Sequence, residues 1–167
     1  CPNDGLGLNQ AIRETQLLAW VYPFRSASGV ATATSALGRL GWMVPGGNQL
    51  HKASSMFASA ERGRLVDETI LFDEQGMLLE GTTASVMLWS KGELRSPPVE
   101  AGVLPSVTAS RFVLLAKGFG IEHRYKMIAY SELLRADAVF LINALGGVRL
   151  VTVLDNLSLA HRSEALQ

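Results

Sequence analysis

From Asp67 onward, short apolar runs alternate with clusters of turn residues, and this pattern predicts most of the elements. "DETILF" (67–72) and "GMLLE" (76–80) read as two strands around the turn Asp73-Glu74-Gln75-Gly76. "SVMLWS" (85–90) reads as a third strand, turned by Lys91-Gly92, and "SPPVEAGVLP" (96–105) as loop. The clearest helix is "SVTASRFVLLAKG" (106–118). Ser106 suits the N-cap, Gly118 suits the C-cap, and apolar residues fall at Val107, Phe112, Val113, Leu114 and Leu115. "IEHRYKMI" (121–128) predicts a strand, and "SELLRAD" (131–137) one or two helical turns capped by Ser131. "AVFLIN" (138–143) predicts a buried strand, "ALGG" a turn and "VRLVTVLD" (148–155) a last strand. Upstream, residues 16–24 read as a strand ended by Pro23 and residues 54–62 as a short helix stopped by Gly63. Residues 26–49, rich in Ala, Ser, Thr and Gly, carry no assignable period. Strands outnumber helices and the two are interspersed, so the expected class is mixed α/β, of the α+β kind.

Composition narrows the functional classes. The 167 residues suit one domain, and 48% hydrophobic with 18% charged residues describes a core-rich globular chain. Fifteen Lys and Arg balance fifteen Asp and Glu with no basic stripe, which argues against a nucleic-acid partner. No apolar run is long enough to span a bilayer. A single cysteine, Cys1, excludes an internal disulfide and a cysteine-based zinc site. A cytoplasmic protein is expected. Because the chain begins with Cys1 rather than Met, an upstream segment removed, or a fragment, is expected too.

No nucleophile elbow, phosphate-binding Gly-rich loop with Lys, or H-E-x-x-H motif occurs. His51, His123 and His161 share no ligand spacing, so no metal site is expected. Asp67-Glu68 and Asp73-Glu74 read as solvated charge in turns. Lys91, Lys117 and Lys126 fit a turn, a helix end and a strand end; Lys52 instead lies between Gly-rich chain and a run of small residues. Glu80 is the anomaly. It closes the apolar run Met77-Leu78-Leu79 and precedes Gly81-Thr82-Thr83-Ala84, and a carboxylate so placed needs a partner.

Three segments occur in order: "DETILFDEQGMLLEGTTASVMLW", "SPPVEAGVLPSVTASRFVLLAKGFG" and "ADAVFLINALGGVRLV". Together they resemble the class IV (fold-type IV) pyridoxal-phosphate enzymes, which include branched-chain and D-amino-acid aminotransferases and aminodeoxychorismate lyase. The resemblance implies the larger C-terminal domain of such enzymes, a mixed β pseudo-barrel with flanking helices. It implies pyridoxal 5′-phosphate as cofactor and Lys52 as the lysine that holds its aldehyde and moves protons. Glu80 would hydrogen-bond the pyridine nitrogen and keep it protonated, so that the ring accepts electrons. Ser106, Val107 and Thr108, at a helix N-terminus, would receive the phosphate, with Asn143 and Ala144 on its other side. The small residues 81–84 would let the ring approach closely.

Within the family, "NALGGVRLV", Phe57 in place of a tyrosine, and Trp89 favour the lyase, which releases pyruvate from 4-amino-4-deoxychorismate to leave the folate precursor 4-aminobenzoate. A branched-chain or D-amino-acid transaminase is the alternative, and an inactive remnant kept as a folded or interacting domain a further one. Ser85, Ser106, Ala109 and Leu150 stand where the family usually has asparagine, glycine, arginine and proline, and the interval from Lys52 to Glu80 is shorter than usual. The expected layout is a poorly matched lead-in over 1–45, where the family's N-terminal domain is missing or truncated, a cofactor-binding domain over 46–160 and a tail over 161–167. A homodimer acting on a small-molecule amine is the expected assembly.

Overall fold

The computed structural model describes residues 30–37 and 66–159. The expected strand at 16–24, the helix at 54–62, Lys52, His51, His161 and the tail lie outside the described residues.

Among the described residues, nine strands form one sheet. They are β1 (Val30–Leu37), β2 (Glu68–Phe72), β3 (Leu78–Gly81), β4 (Ser85–Ser90), β5 (Glu93–Ser96), β6 (Glu122–Tyr125), β7 (Ala138–Asn143), β8 (Gly147–Leu154) and β9 (Leu157–Ser158). The order is β3-β2-β1-β8-β7-β4-β5-β6, with β9 on β8. β1 pairs in parallel with β2 and β8, and β5 with β6; the other pairs are antiparallel.

This order forces curvature. β3 and β4 are joined by three residues, 82–84, yet stand five places apart in the sheet. Five inter-strand spacings would separate them by about 24 Å in a flat sheet. The connection reaches at most about 14 Å. The sheet therefore curls into a half-barrel and brings the end of β3 to the start of β4.

The inside of the curl is filled by Ile70, Phe72, Leu78, Leu88, Leu141 and Val151 with their neighbours, and is plugged by Ile128 and Leu133. The helix α1 (Val107–Gly118) covers the other face: Ala109, Phe112, Val113 and Ala116 pack on Met87, Leu94 and Ile142. That i, i+3, i+4, i+7 spacing defines one helical stripe. Leu114 and Leu115, counted among the apolar signals of the sequence, face solvent.

Several local features differ from expectation for identifiable reasons. β1 falls in the segment without an assignable period, inside the stretch set apart as lead-in. Its inward residues are Ala31 and Ala33 and its outward ones threonines, so it alternates in polarity without being strongly apolar. β5 lies in what reads as the approach to a loop, and Val99–Ala101 adds a 3-10 turn within that loop. Ser106 caps α1, accepting from the Ala109 N–H at 3.2 Å. Gly118, however, is the last helical residue and not the cap; the left-handed position is Gly120. Gly120 N–H reaches Lys117 O and Ile121 N–H reaches Ala116 O, both at 3.0 Å, the pairing of a Schellman motif. The short helix α2 (Tyr130–Leu134) starts from Ala129, not Ser131. Ala129 bridges Met77, and Tyr130 N–H bonds Gly76 O, so tertiary pairing sets its start. No helix among the described residues is long and apolar enough to cross a membrane.

Asp155 locks the sheet's middle. At φ 50°, it opens the tight β8–β9 turn and accepts from Ser35 N–H at 2.6 Å, Thr34 Oγ1 at 2.9 Å and Tyr130 OH at 2.8 Å. Burial works against its charge, but the bonds from Ser35, Tyr130 and Thr34 outweigh burial and hold the carboxyl below its ordinary range. Burial, aided by the Asp155 carboxylate, pushes the Tyr130 phenol up to about 12.

Candidate functional site

The curl gathers three chain segments at one rim: the β3–β4 turn, the loop leading into α1, and the β7–β8 turn. Between them lies a cleft of about 320 Å³ lined by residues 80–85, 104–108 and 142–144. That volume is within the range of small-molecule sites, about 300–1,000 Å³.

Glu80 forms one end of the cleft. It is 7% exposed, at the close of β3, and its Oε2 accepts from the Leu104 N–H at 3.0 Å. That bond ties the carboxylate to the loop carrying Leu104 and Pro105, which form an apolar wall. The other end is the start of α1. The first N–H groups of a helix have no intrahelical acceptor. Ser106 Oγ takes that of Ala109, which leaves those of Val107 and Thr108 for a ligand or solvent. Asn143 shapes the third wall: its Oδ1 accepts from Leu145 N–H at 3.1 Å and Gly146 N–H at 2.5 Å, and its Nδ2 donates to Thr83 O at 3.3 Å. One side chain thus folds the β7–β8 turn and ties it to the β3–β4 turn.

Glu80, Ser106, Val107, Thr108, Asn143 and Ala144, singled out from the sequence, all line this one cleft. Lys52 lies outside the described residues. Among the described lining residues there is a carboxylate but no cation. The donor set suits a ligand with a protonated ring nitrogen at one end and an anionic group at the other: a carboxylate facing Glu80's end, main-chain N–H groups at the α1 end, apolar wall between. Pyridoxal 5′-phosphate has that layout, so the residues present fit it.

Behind Glu80 is a smaller cavity of about 90 Å³, reached by Ser96, Ala109, Val113 and His123. Ser96 Oγ and His123 Nε2 are 2.8 Å apart, and burial holds the imidazole's pKa below its ordinary value. Among the described residues no group of His, Cys, Asp and Glu could hold a metal ion.

The acidic pairs correct one expectation. Glu68 does not belong to a solvated turn: it opens β2 and is completely buried, accepting from Thr69, Thr82 and Thr83. Asp73 is also buried, where its Oδ1 accepts from Gln75 and Met77 N–H at 3.0 and 2.8 Å and shapes the β2–β3 turn. Of the four acids, Asp67 and Glu74 are exposed, Asp67 accepting from Thr32 N–H at 2.7 Å. The available signal for Glu68 was its place at the head of the apolar run "TILF", a position inside the strand. Gly81 also serves Glu68: a Cβ there would stand 3.1 Å from Glu68 Cγ and Cδ and 2.9 Å from Ala84 O. Its smallness admits the buried carboxylate arm, and residues 81–84 also line the cleft, where the resemblance implies close approach of a ligand ring.

Comparison with known proteins agrees with this geometry. The profile of the amino-transferase class IV family matches residues 30–154. A putative branched-chain-amino-acid aminotransferase of Methanocaldococcus jannaschii is 30% identical over 122 residues, 71% of this chain and 42% of that protein. The branched-chain-amino-acid aminotransferase of Escherichia coli K12 is 30% identical over 116 residues, 70% of this chain and 37% of that protein. The chain therefore spans less than half the length of these curated relatives. In fold it is similar to the branched-chain aminotransferase of Thermoproteus uzoniensis, solved with norvaline, at a TM-score of 0.74, with 23% identity over 87% of this chain and 51% of that one. It is also similar to the PLP form of the Thermobaculum terrenum enzyme, at a TM-score of 0.68 with 20% identity over 81% and 48% of the two chains. The half-barrel, the rim cleft and the profile match converge: the chain belongs to the class IV aminotransferase family, whose members depend on pyridoxal 5′-phosphate.

Proposed function

We propose that the rim cleft holds pyridoxal 5′-phosphate and that this chain is the cofactor-binding part of an enzyme transferring amino groups from branched-chain amino acids to 2-oxo acids. The observation that carries the cofactor's placement is the convergence of Glu80, the α1 N-terminus and the Asn143 turn on one cleft of suitable size. The names of the 30% identical relatives favour amino transfer over the lyase reaction that the "NALGGVRLV" turn suggests.

Glu80 would accept the ring N–H, and its bond to Leu104 N–H fixes the carboxylate beforehand. Val107 and Thr108 N–H, together with the Asn143–Ala144 turn, would grip the phosphate, where aligned main-chain dipoles favour negative charge. Lys52 Nζ would hold the aldehyde carbon and then carry the proton taken from the substrate carbon. Bound there, the cofactor supplies an electron-accepting ring that stabilises negative charge at that carbon. Leu104 and Pro105 would exclude water from one side of the site.

The test is an assay of the chain with pyridoxal 5′-phosphate, leucine or valine, and 2-oxoglutarate. Formation of glutamate and a branched 2-oxo acid supports amino transfer. Pyruvate released from 4-amino-4-deoxychorismate, without amino transfer, would favour the lyase. Tight cofactor binding with neither product would fit a chain that keeps the pocket without turnover. The homodimer and the cytoplasmic setting belong to the same proposal; the mass of the chain in solution checks the first.

A further inference from the structure

Two carboxylates stand close to the β3–β4 turn, and of the two only Glu80 lines the cleft. The other, Glu68, is 0% exposed. Its Oε1 accepts from Thr69 N–H at 2.9 Å, from Thr82 N–H at 3.0 Å and from the Thr82 hydroxyl. Its Oε2 accepts from the Thr83 hydroxyl and from Thr83 N–H at 3.3 Å. Five donors converge on one buried side chain. Burying a carboxylate is costly unless such bonds replace water, and an apolar residue would fill the same space without that cost. What an apolar residue cannot do is hold a turn by its N–H groups.

The held segment is the wall of the cleft. Residues 81–84 follow Glu80 directly, and Gly81 lies against the Glu68 side chain with no room for a Cβ. Thr83 passes the restraint on, because its carbonyl accepts from Asn143 Nδ2, and Asn143 folds the opposite turn. A change in the 81–84 backbone would therefore swing Glu80 at one end and release the Asn143 wall at the other.

We propose that Glu68 is a positioning residue of the cofactor site: its buried carboxylate fixes the 81–84 turn and, through it, the placement of Glu80 against the ring nitrogen. This rests on the reading that the cleft holds pyridoxal 5′-phosphate. Glu68 touches neither cofactor nor substrate and acts through the turn. Glutamine in its place is isosteric but presents an NH2 group to donors. The threonine hydroxyls can rotate to accept; the N–H groups of Thr82 and Thr83 cannot.

The experiment titrates the full chain with pyridoxal 5′-phosphate, recording the dissociation constant, the absorption maximum of the bound cofactor and the thermal melt. Glu68→Gln is expected to bind about tenfold more weakly with a displaced maximum. Thr83→Val, which removes one hydroxyl donor at an exposed position and keeps the backbone, is expected to weaken binding about threefold, and it decides the matter if Glu68→Gln does not fold. Leu133→Ala, in the core plug, should lower the melt and leave the dissociation constant and maximum unchanged. Wild-type affinity and maximum in both network variants would overturn the inference, as would Leu133→Ala weakening binding as much as Glu68→Gln. Failure of the wild-type chain to bind the cofactor would instead overturn the assignment of the cleft, and the inference with it.

Discussion

Gly81→Ala is the most exacting perturbation of the turn that walls the cleft. The added Cβ would stand 2.9 Å from the Ala84 carbonyl oxygen and 3.1 Å from both Cγ and Cδ of Glu68. The first contact is with backbone, which cannot rotate away. The second is with a side chain held by five hydrogen bonds. The strain must be relieved by shifting the turn, which lengthens the Gly81 N–H bond to Ala84 O, 2.7 Å, and the bonds to Glu68. Overpacking of a tight site costs about 1–3 kcal/mol. For a chain of this size each kcal/mol moves the melting temperature by about 2–4 °C, so a fall of about 2–12 °C is expected. Gly118→Ala is the control. Nothing lies within 4 Å of its added Cβ, and alanine is the better helix former, so its melt should be unchanged or raised. Thermal melts followed by far-UV circular dichroism, with a pyridoxal 5′-phosphate titration of each protein, make the comparison. Gly81→Ala is expected to bind the cofactor several-fold more weakly and Gly118→Ala as wild type. A Gly81→Ala protein that melts and binds as wild type would refute the packing of Glu68 beneath the turn.

Other expectations follow from single contacts. Ser106→Ala removes the acceptor of the Ala109 N–H and should cost about 1 kcal/mol, a fall of about 2–4 °C in the melt. Glu80→Ala should leave the melt within a few degrees of wild type and weaken pyridoxal 5′-phosphate binding by about tenfold or more, read by the same titration. The Tyr130 phenol, raised to about 12 by burial and by Asp155, favours the folded state below the unfolded phenol pKa of about 10, and that contribution is lost as pH rises through the folded value. Tyr130→Phe should therefore flatten the loss of stability between about pH 10 and 12, measured by urea unfolding across that window. Asp155 acts in the opposite range. Its lowered pKa gives stability present above the ordinary aspartate value and lost as pH falls below it, so Asp155→Asn should differ from wild type most at neutral pH and least in acid.

How much of this was legible in the sequence depended on whether the signal was local. The β2–β3 hairpin announces itself through Asp73 and Gly76, the β4–β5 turn through Lys91-Gly92, and α1 through Ser106; each is settled by residues within a few positions. β1 was not legible, because a central strand lined with Ala31 and Ala33 gains its burial from neighbours far away in sequence, β2 and β8. The C-cap of α1 falls one residue beyond Gly118, at Phe119, because Gly118 and Gly120 both suit a helix end, and the choice falls to the bond from Ile121 to Ala116. In the site, Glu80 stood out as a carboxylate closing an apolar run. Glu68 did not, since beside Asp67 it reads as one more surface acid. Its donors, Thr82 and Thr83, are 14 and 15 residues away and reach it only because β2 and β3 pair. Two acids in similar local surroundings thus end in different places, Glu80 lining the cleft and Glu68 buried behind the 81–84 turn, and only the sheet separates them. The resemblance of three segments supplied the family; the choice of member drawn from "NALGGVRLV" did not agree with the names of the similar proteins.

The measurement that bears most directly on the account is the site of covalent cofactor attachment. The chain is mixed with pyridoxal 5′-phosphate, reduced with borohydride, digested and mapped by mass spectrometry. A label on Lys52 alone is expected, at near-stoichiometric yield, and is expected to be lost when Glu80→Ala weakens cofactor retention. Label scattered over Lys91, Lys117 and Lys126, or no label at all, would contradict a working pocket at the rim of the half-barrel.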